Sequence, residues 1–133
     1  MTNPRMTNDE CTEPEARVFD LEERTAVFGE NVIDFASTIK LTPILSPLIS
    51  QLICAAKSIG ANYCEADDAE SKKDFRHKIS LCRKESRETK YWFRMFARAA
   101  PYAKAAARPL WQEANELNLI FSKIRRSCDK SPR

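Results

Sequence analysis

The residues best suited to chemistry in this sequence are a regularly spaced row of lysines and arginines in its second half. This row, the basic stripe, comprises Lys72, Arg76, Arg83, Arg87, Lys90, Arg94 and Arg98. Successive members are 4, 7, 4, 3, 4 and 4 positions apart, so on a helix all of them lie within about 80° of one another. Ser80 occupies the one gap in the row. At 1.5 Å per residue the basic stripe is about 39 Å long.

A row of like charges this long repels itself, and folding alone gives no reason to collect it on one face. A phosphate backbone would neutralise the row and release the counterions condensed on the nucleic acid, which favours binding. The basic stripe therefore predicts contact with RNA or DNA. Tyr91, the aromatic residue nearest the stripe, is a weak candidate for base stacking.

The sequence alone also allows the basic stripe to be a solvated face, or a face that pairs with acidic surfaces of a neighbouring subunit or of a partner protein. Asp67, Asp68 and Glu70 are examples of such acids. Residues 1–70 hold 5 Lys and Arg against 13 Asp and Glu, whereas residues 71–133 hold 17 against 6. This division of charge suits either self-association or a polyanionic partner.

A second face of the same helix combines acids with large apolar residues. Its members, on the side away from the basic stripe, are Asp74, Leu81, Glu85, Glu88 and Trp92. Leucine and tryptophan among acids are unusual on a surface that meets only water. We interpret this acidic face as a contact surface, within the fold or between subunits. The plainer interpretation is exposed acids beside an incidental tryptophan.

The sequence holds no pattern that points to catalysis, a metal or a cofactor. His77 is the only histidine, so zinc ligand sets and Glu-x-x-His di-iron motifs are missing, and no base accompanies a nucleophile. Only two glycines occur, Gly29 and Gly60, which excludes a glycine-rich phosphate loop. We therefore predict a binding or assembly protein rather than an enzyme, with no catalytic residue, metal site or cofactor.

The cysteines and the hydropathy of the chain bear on its compartment. The five cysteines are odd in number and include no Cys-x-x-Cys pair. Cys54, Cys64 and Cys82 fall inside helical patterns and are expected to be reduced and mostly buried. No apolar run approaches the ~20 residues that span a bilayer, and the polar residues 1–15 do not resemble a signal peptide. These features predict a cytoplasmic protein that does not contact a membrane.

Hydrophobic spacing predicts four amphipathic helices. Helix 1 begins at Asp20, which with Glu23 makes a capping-box-like start. Helix 2 begins near residues 42–43 or 46–47, where proline is tolerated in a first turn. Its wide apolar set is Ile44, Leu45, Leu48, Ile49, Leu52, Ala55, Ala56, Ile59 and Tyr63. Gly60 inside this helix predicts close approach by another helix.

Two further helices complete the pattern. Helix 3 begins with Ser71 as its cap and runs to about Ala99. Its core side holds Phe75, Ile79, Cys82, Ser86, Thr89, Phe93 and Phe96. Helix 4 covers roughly residues 109–126, and the alanine-rich residues 103–107 extend it backwards through a bend at Pro109.

Four amphipathic helices joined by short loops predict an all-α, up-down-up-down four-helix bundle. We expect a single domain over residues 20–126, preceded by a mobile polar tail, 1–19, and followed by a second tail, 127–133. A domain of this size buries enough apolar surface to fold without disulfides or metals.

Several short runs carry a resemblance to a known family. The runs are residues 20–25 (DLEERT), 58–63 (SIGANY), 65–66 (EA), 70–75 (ESKKDF), Glu85, Glu88 and 91–92 (YW). Over about residues 20–96 the sequence resembles the bacterial four-helix-bundle proteins named for open reading frames in the intervening sequences of 23S ribosomal RNA. The accessory protein of diversity-generating retroelements looks like a relative.

The resemblance implies properties that the spacing of residues does not. Members form four-helix bundles, and the family suggests a barrel-like homopentamer. In the retroelement relative a basic surface is associated with nucleic acid and with a reverse-transcriptase partner, so the resemblance implies a nucleic-acid enzyme as a partner. No catalytic residues come with it. The motif residues carry over as packing or interface positions: Gly60, Asn62, Tyr63, Glu65, Glu85, Glu88, Tyr91 and Trp92.

Overall fold

The computed structural model describes residues 20–130, which form four long helices and no strand. The helices are α1 (Leu21–Ser37), α2 (Leu45–Asp67), α3 (Lys72–Ala99) and α4 (Lys104–Lys130). A 3₁₀ turn, Pro101–Ala103, connects α3 to α4. Each helix packs on the next one in the chain, and α1 also meets α4. The fold is therefore the predicted all-α, up-down-up-down four-helix bundle.

The core lies along the bundle axis, where the apolar stripes of all four helices meet. Phe35 of α1 packs edge-on against Phe96 of α3, with 5.3 Å between ring centroids. The ring centroids of Tyr63 of α2 and Phe121 of α4 lie 6.0 Å apart. Burial of a large apolar side chain contributes about 1.5–3 kcal/mol to folding. These cross-helix contacts make one continuous core, and they fix how each helix is rotated about its own axis.

Three hydroxyl side chains lie inside this core without weakening it. Thr25, Ser86 and Thr89 are buried, and each donates a hydrogen bond to a backbone carbonyl three or four residues earlier in its own helix. Among the described residues, no buried side-chain nitrogen or oxygen lacks a hydrogen-bond partner. The core therefore contains no unsatisfied side-chain group to offset the energy of apolar burial.

Both glycines of the chain lie where α1 and α2 approach each other closely. A Cβ added to Gly60 would lie 3.1 Å from Thr25 Oγ1, which is tighter than ordinary contact. A Cβ added to Gly29 would lie 3.8 Å from the Lys57 Cα. The prediction that Gly60 marks a close helix approach is confirmed, and the partner is α1.

Of the two predicted helix caps, the one at Ser71 is confirmed and the one at Asp20 is not. Ser71 caps α3, because its Oγ accepts a hydrogen bond from the Asp74 backbone N–H at 3.0 Å. α2 begins at Leu45, between the two predicted starts, and the Leu45 N–H donates to Thr42 Oγ1 at 3.1 Å. Asp20 is the N-cap residue of α1, but its side chain makes no capping hydrogen bond, so that part of the prediction is wrong.

The structure differs from the sequence-based prediction in the apolar set of α2 and at the ends of α4. Ile44, predicted to lie in the core, precedes α2 and is 70% exposed. α4 begins at Lys104, so residues 104–107 extend it backwards as expected, with Pro109 inside the helix. It also continues to Lys130, past the predicted end at residue 126. The expected C-terminal tail was 127–133, and residues 127–130 of it belong to α4. The expected N-terminal tail, 1–19, and residues 131–133 lie outside the described residues.

Candidate nucleic-acid interface

α3 carries the basic stripe along one side of an unbroken helix of 28 residues. Six of its seven cations are exposed, and five of these six lie away from any acid partner within the described residues: Lys72, Arg83, Arg87, Arg94 and Arg98. None of the five forms an ion pair with another residue of the range 20–130. Ile79, Cys82 and Phe93 are buried in the core on a different side of α3. Their burial fixes the rotation of the helix, so the basic stripe faces outward.

The two remaining members of the basic stripe are held by residues of α4. Arg76 donates from Nε to Asp129 Oδ1 at 2.8 Å. Lys90 is half-buried, and its ammonium donates to Asn115 Oδ1 at 2.8 Å. The same ammonium lies 5.6 Å from the ring centroid of Trp111, within the range of a cation–π contact.

An arginine of α4 lies at the gap in the basic stripe. Arg125 donates from Nε to Ser80 Oγ at 2.6 Å. Its Nη1 also donates to Asp129 Oδ2 at 2.6 Å, so each carboxylate oxygen of Asp129 accepts from one arginine. The hydrogen bond from Arg76, supported by the charge of Arg125, lowers the pKa of Asp129 below its ordinary value. The line of cations is therefore continued through the gap by a residue from another helix.

The side of α4 that borders the basic stripe is a surface that sequence reasoning missed. Its residues recur every three or four positions: Lys104, Arg108, Trp111, Asn115, Asn118, Ser122, Arg125 and Asp129. This spacing places them on one helical face. The periodicity is a usable signal, but only the antiparallel pairing of α3 with α4 shows that this face adjoins the basic stripe.

A groove of about 740 Å³ lies where the end of α3 meets the start of α4. We call it the end groove; its lining residues are Phe93, Arg94, Ala97, Arg98, Pro101, Lys104, Ala107, Arg108 and Trp111. Four of these residues are cations, and all four are exposed. Trp111 keeps 37% of its surface exposed. The end groove therefore combines an apolar lining with positive charge, and it includes two members of the basic stripe.

The acidic face of α3 is divided between the bundle and solvent. Leu81, Glu85 and Trp92 are half-buried, whereas Glu88 is exposed. Trp92 packs against the core, and Tyr91 meets its ring edge-on at 5.2 Å. Burial raises the pKa of Glu85, and the nearby charge of Glu88 adds to the rise. Through Trp92, this face makes contacts within the fold.

The family-motif residues of α2 make contacts within the chain. Asn62 is half-buried and donates to a backbone carbonyl of its own helix, that of Ser58, at 2.9 Å. Glu65 accepts from Lys78 Nζ of α3 at 2.6 Å, which raises the pKa of Lys78. Glu65, the buried Tyr63 and the closely approached Gly60 hold α2 against its neighbours, whereas the hydrogen bond of Asn62 lies within α2.

The cysteines and the histidine do not assemble into a site within the described residues. Cys82 is buried as expected, but Cys54 and Cys64 are exposed, because both lie on the side of α2 away from its core stripe. No three His, Cys, Asp or Glu side chains in residues 20–130 are grouped as a metal site would require. His77 is exposed on α3. None of the helices in this range has the length and apolar content needed to cross a membrane.

Comparison with models of protein families identifies the family to which this fold belongs. The model of the 23S rRNA-intervening sequence protein family matches residues 23–127, from the first turn of α1 almost to the end of α4. The chain belongs to this family. The match extends well beyond residue 96, where the motifs that carry the resemblance end. It therefore includes the α4 residues that adjoin the basic stripe from Lys104 to Arg125, and ends before Asp129.

A solved structure supports the same fold. The chain is similar to a protein of unknown function from the S23 ribosomal protein family of Bacteroides thetaiotaomicron. The two share 22% sequence identity with a TM-score of 0.68, over 79% of this chain and 94% of that one. The comparison with curated proteins finds no match.

Proposed function

We propose that this member of the family is a non-catalytic nucleic-acid-binding protein whose basic stripe contacts the phosphate backbone of RNA or DNA. The observation that carries the proposal is the alignment of five exposed cations on α3, none of them in an ion pair within residues 20–130. Arginine and lysine in such a row neutralise phosphates and release counterions, and the affinity then depends steeply on salt.

The dimensions of the basic stripe suit a polyanion better than a small ligand. The row extends about 39 Å along α3, with a cation roughly every 6.5 Å. Each strand of duplex DNA presents one charge per about 3.4 Å of axis, so the row supplies roughly one cation for two phosphates of one strand. Contacts of this kind set position and affinity without reading bases, so we expect weak sequence preference.

The proposal includes assembly. A barrel-like homopentamer, which the family resemblance implies, would present five copies of the basic stripe on one particle. Several stripes on one particle raise the effective concentration of cations at the nucleic acid and increase avidity without new contacts. A nucleic-acid enzyme is the proposed protein partner, to which this oligomer would be an accessory.

The decisive experiment measures binding of the purified protein to structured RNA and to duplex DNA across about 50–200 mM salt, the range in which counterion release is steep. The test variant is Arg87→Glu/Arg94→Glu, which reverses two exposed charges of the stripe. The matched control is Lys73→Glu/Lys84→Glu, which makes the same change of charge on the same helix outside the stripe; both lysines are exposed.

The expected result is binding that weakens steeply with salt, is lost in the stripe variant and is largely retained in the control variant. The mass of the oligomer should not change in either. If the stripe variant instead dissociates the oligomer, the stripe is an assembly surface that pairs with acids such as Asp67 and Asp68 of a neighbour. Absence of binding at low salt would refute the nucleic-acid proposal.

A further inference from the structure

We propose that the end groove between α3 and α4 holds an unpaired nucleotide at the end of a nucleic-acid strand that runs along the basic stripe. This inference rests on the proposed function and adds a substrate preference to it. It predicts that the protein distinguishes nucleic acids with a single-stranded end from fully paired ones.

The end groove is continuous with the basic stripe. Arg94 and Arg98 belong to the stripe and also line the groove. A strand whose phosphates follow α3 from Arg83 towards its carboxyl end therefore reaches the groove after about 20 Å, at 1.5 Å per residue. The turn that connects α3 to α4 borders the groove, because Pro101 of that turn is one of its lining residues. The groove therefore lies at the carboxyl-terminal end of the basic stripe.

The lining of the end groove has the chemistry that a nucleotide requires. Arg94, Arg98, Lys104 and Arg108 supply four positive charges around a wall that includes Ala97 and Ala107. An unpaired nucleotide complements this lining. Its anionic phosphate suits the four cations, and the flat apolar faces of its base suit the apolar wall. The volume of about 740 Å³ lies within the ~300–1,000 Å³ of ordinary ligand pockets. A base pair inside a duplex has both of its faces covered by neighbouring pairs and cannot use such a wall.

The end groove also contains an aromatic side chain. Trp111 lines it and is partly exposed, whereas most large aromatic rings of the bundle are in the core. The ammonium of Lys90 lies 5.6 Å from the Trp111 ring and is itself held by Asn115. The indole is therefore positioned before a ligand arrives. Stacking of a base on an aromatic side chain raises affinity roughly tenfold or more.

The experiment compares two RNA hairpins that differ only in a short single-stranded overhang, tested as a 3′ and as a 5′ extension. Binding is measured with the wild type, with Trp111→Ala and with Trp111→Phe. The control variant is Tyr102→Ala, because Tyr102 is a highly exposed aromatic residue outside the groove lining. Quenching of Trp111 fluorescence, read in a Trp92→Phe background, reports directly on stacking.

The expected result is that the wild type binds one overhang hairpin roughly tenfold more tightly than the blunt hairpin, as one stacked base provides. Trp111→Ala should lose this preference while binding the blunt hairpin as before. Trp111→Phe should keep most of the preference, because a ring remains, and Tyr102→Ala should keep all of it. The overhang, but not the blunt hairpin, should quench Trp111.

Three results would overturn the inference. Equal binding of blunt and overhang hairpins, still abolished by Arg87→Glu/Arg94→Glu, would refute the groove while leaving the proposed function intact. No binding of either hairpin at low salt would refute both. A free mononucleotide that competes as well as the overhang would show that the groove is a separate nucleotide site, unconnected with a strand on the stripe.

Discussion

Arg125 of α4 donates a hydrogen bond to Ser80 of α3 at 2.6 Å, at the one position where the basic stripe has no cation of its own. The same guanidinium reaches Asp129, which also accepts from Arg76. The surface that faces a nucleic acid in our proposal is therefore built from two helices. Asp129 lowers the net positive charge of this surface, because it forms ion pairs with both Arg76 and Arg125.

Removal of that acid should strengthen nucleic-acid binding. In Asp129→Asn, Arg76 and Arg125 lose their shared carboxylate and become available to phosphates. Each additional phosphate contact steepens the dependence of log affinity on log salt by about 0.9. We expect tighter binding at low salt. The slope of log affinity against log salt should become steeper by the equivalent of up to about two phosphate contacts. Salt titration of binding measures both.

Glu88→Gln is the matched control for Asp129→Asn, because it removes one exposed negative charge from another side of α3. It should change the salt slope little, since within residues 20–130 Glu88 forms no ion pair with the basic stripe. If both substitutions change the salt slope equally, net charge alone governs binding, and the result contradicts a defined interface around Asp129.

The close approach of α1 to α2 predicts different outcomes for two glycine substitutions. Gly29→Ala should raise the free energy of unfolding by about 0.5–1 kcal/mol, because alanine favours helix and its methyl meets Lys57 Cα only at ordinary contact distance. Gly60→Ala gains the same propensity, but its methyl lies 3.1 Å from Thr25 Oγ1. Gly60→Ala should therefore raise the free energy of unfolding by less than Gly29→Ala does, or should lower it. Urea unfolding followed by circular dichroism tests this, and equal stabilisation would contradict the close contact.

The buried thiol of Cys82 makes stability depend on alkaline pH. Burial raises its pKa from 9.0 to about 12. Because the folded state holds this proton more tightly than the unfolded state, its contribution is complete below pH 9 and is lost as the pH rises towards 12. The loss is at most about 1.4 kcal/mol per pH unit from this group.

Comparison with Cys82→Ala isolates that contribution, because other groups such as Lys78 and Tyr63 also have a raised pKa. The variant should be less stable than the wild type at neutral pH, since it leaves a cavity. The difference in free energy of unfolding should narrow above pH 9. A difference that stays constant up to pH 11 would contradict the buried, protonated thiol.

Arg24 of α1 forms hydrogen bonds with two glutamates of α4. Its Nε and Nη2 donate to both oxygens of Glu113, at 2.7 and 2.9 Å, and Nη2 also donates to Glu116. Glu113 is 29% exposed and Glu116 64%. Glu113→Gln should therefore destabilise the fold more than Glu116→Gln, by about 0.5–1 kcal/mol in low salt and less in high salt. Thermal unfolding at two salt concentrations measures both, and an equal loss would contradict the bidentate geometry.

Local rules in the sequence accounted for much of the fold. The cap at Ser71, the extent of α3 and the burial of Phe93 and Phe96 all follow from periodicity and from the hydrogen bonds of a helix end. The same periodicity placed the seven cations of the basic stripe on one side of α3. These features depend on residues within one or two turns of each other, so a single segment of sequence determines them.

The tertiary structure decided what lies beside the basic stripe. That Arg125 reaches Ser80 depends on the axial register of α4 against α3, which the packing of both helices in the core sets. The end groove depends in the same way on how Trp111 and Arg94 are brought together. Helical periodicity gives the direction of a side chain on its own helix only. Contacts between helices need the relative rotation and register of two helices, and the shared core alone supplies them.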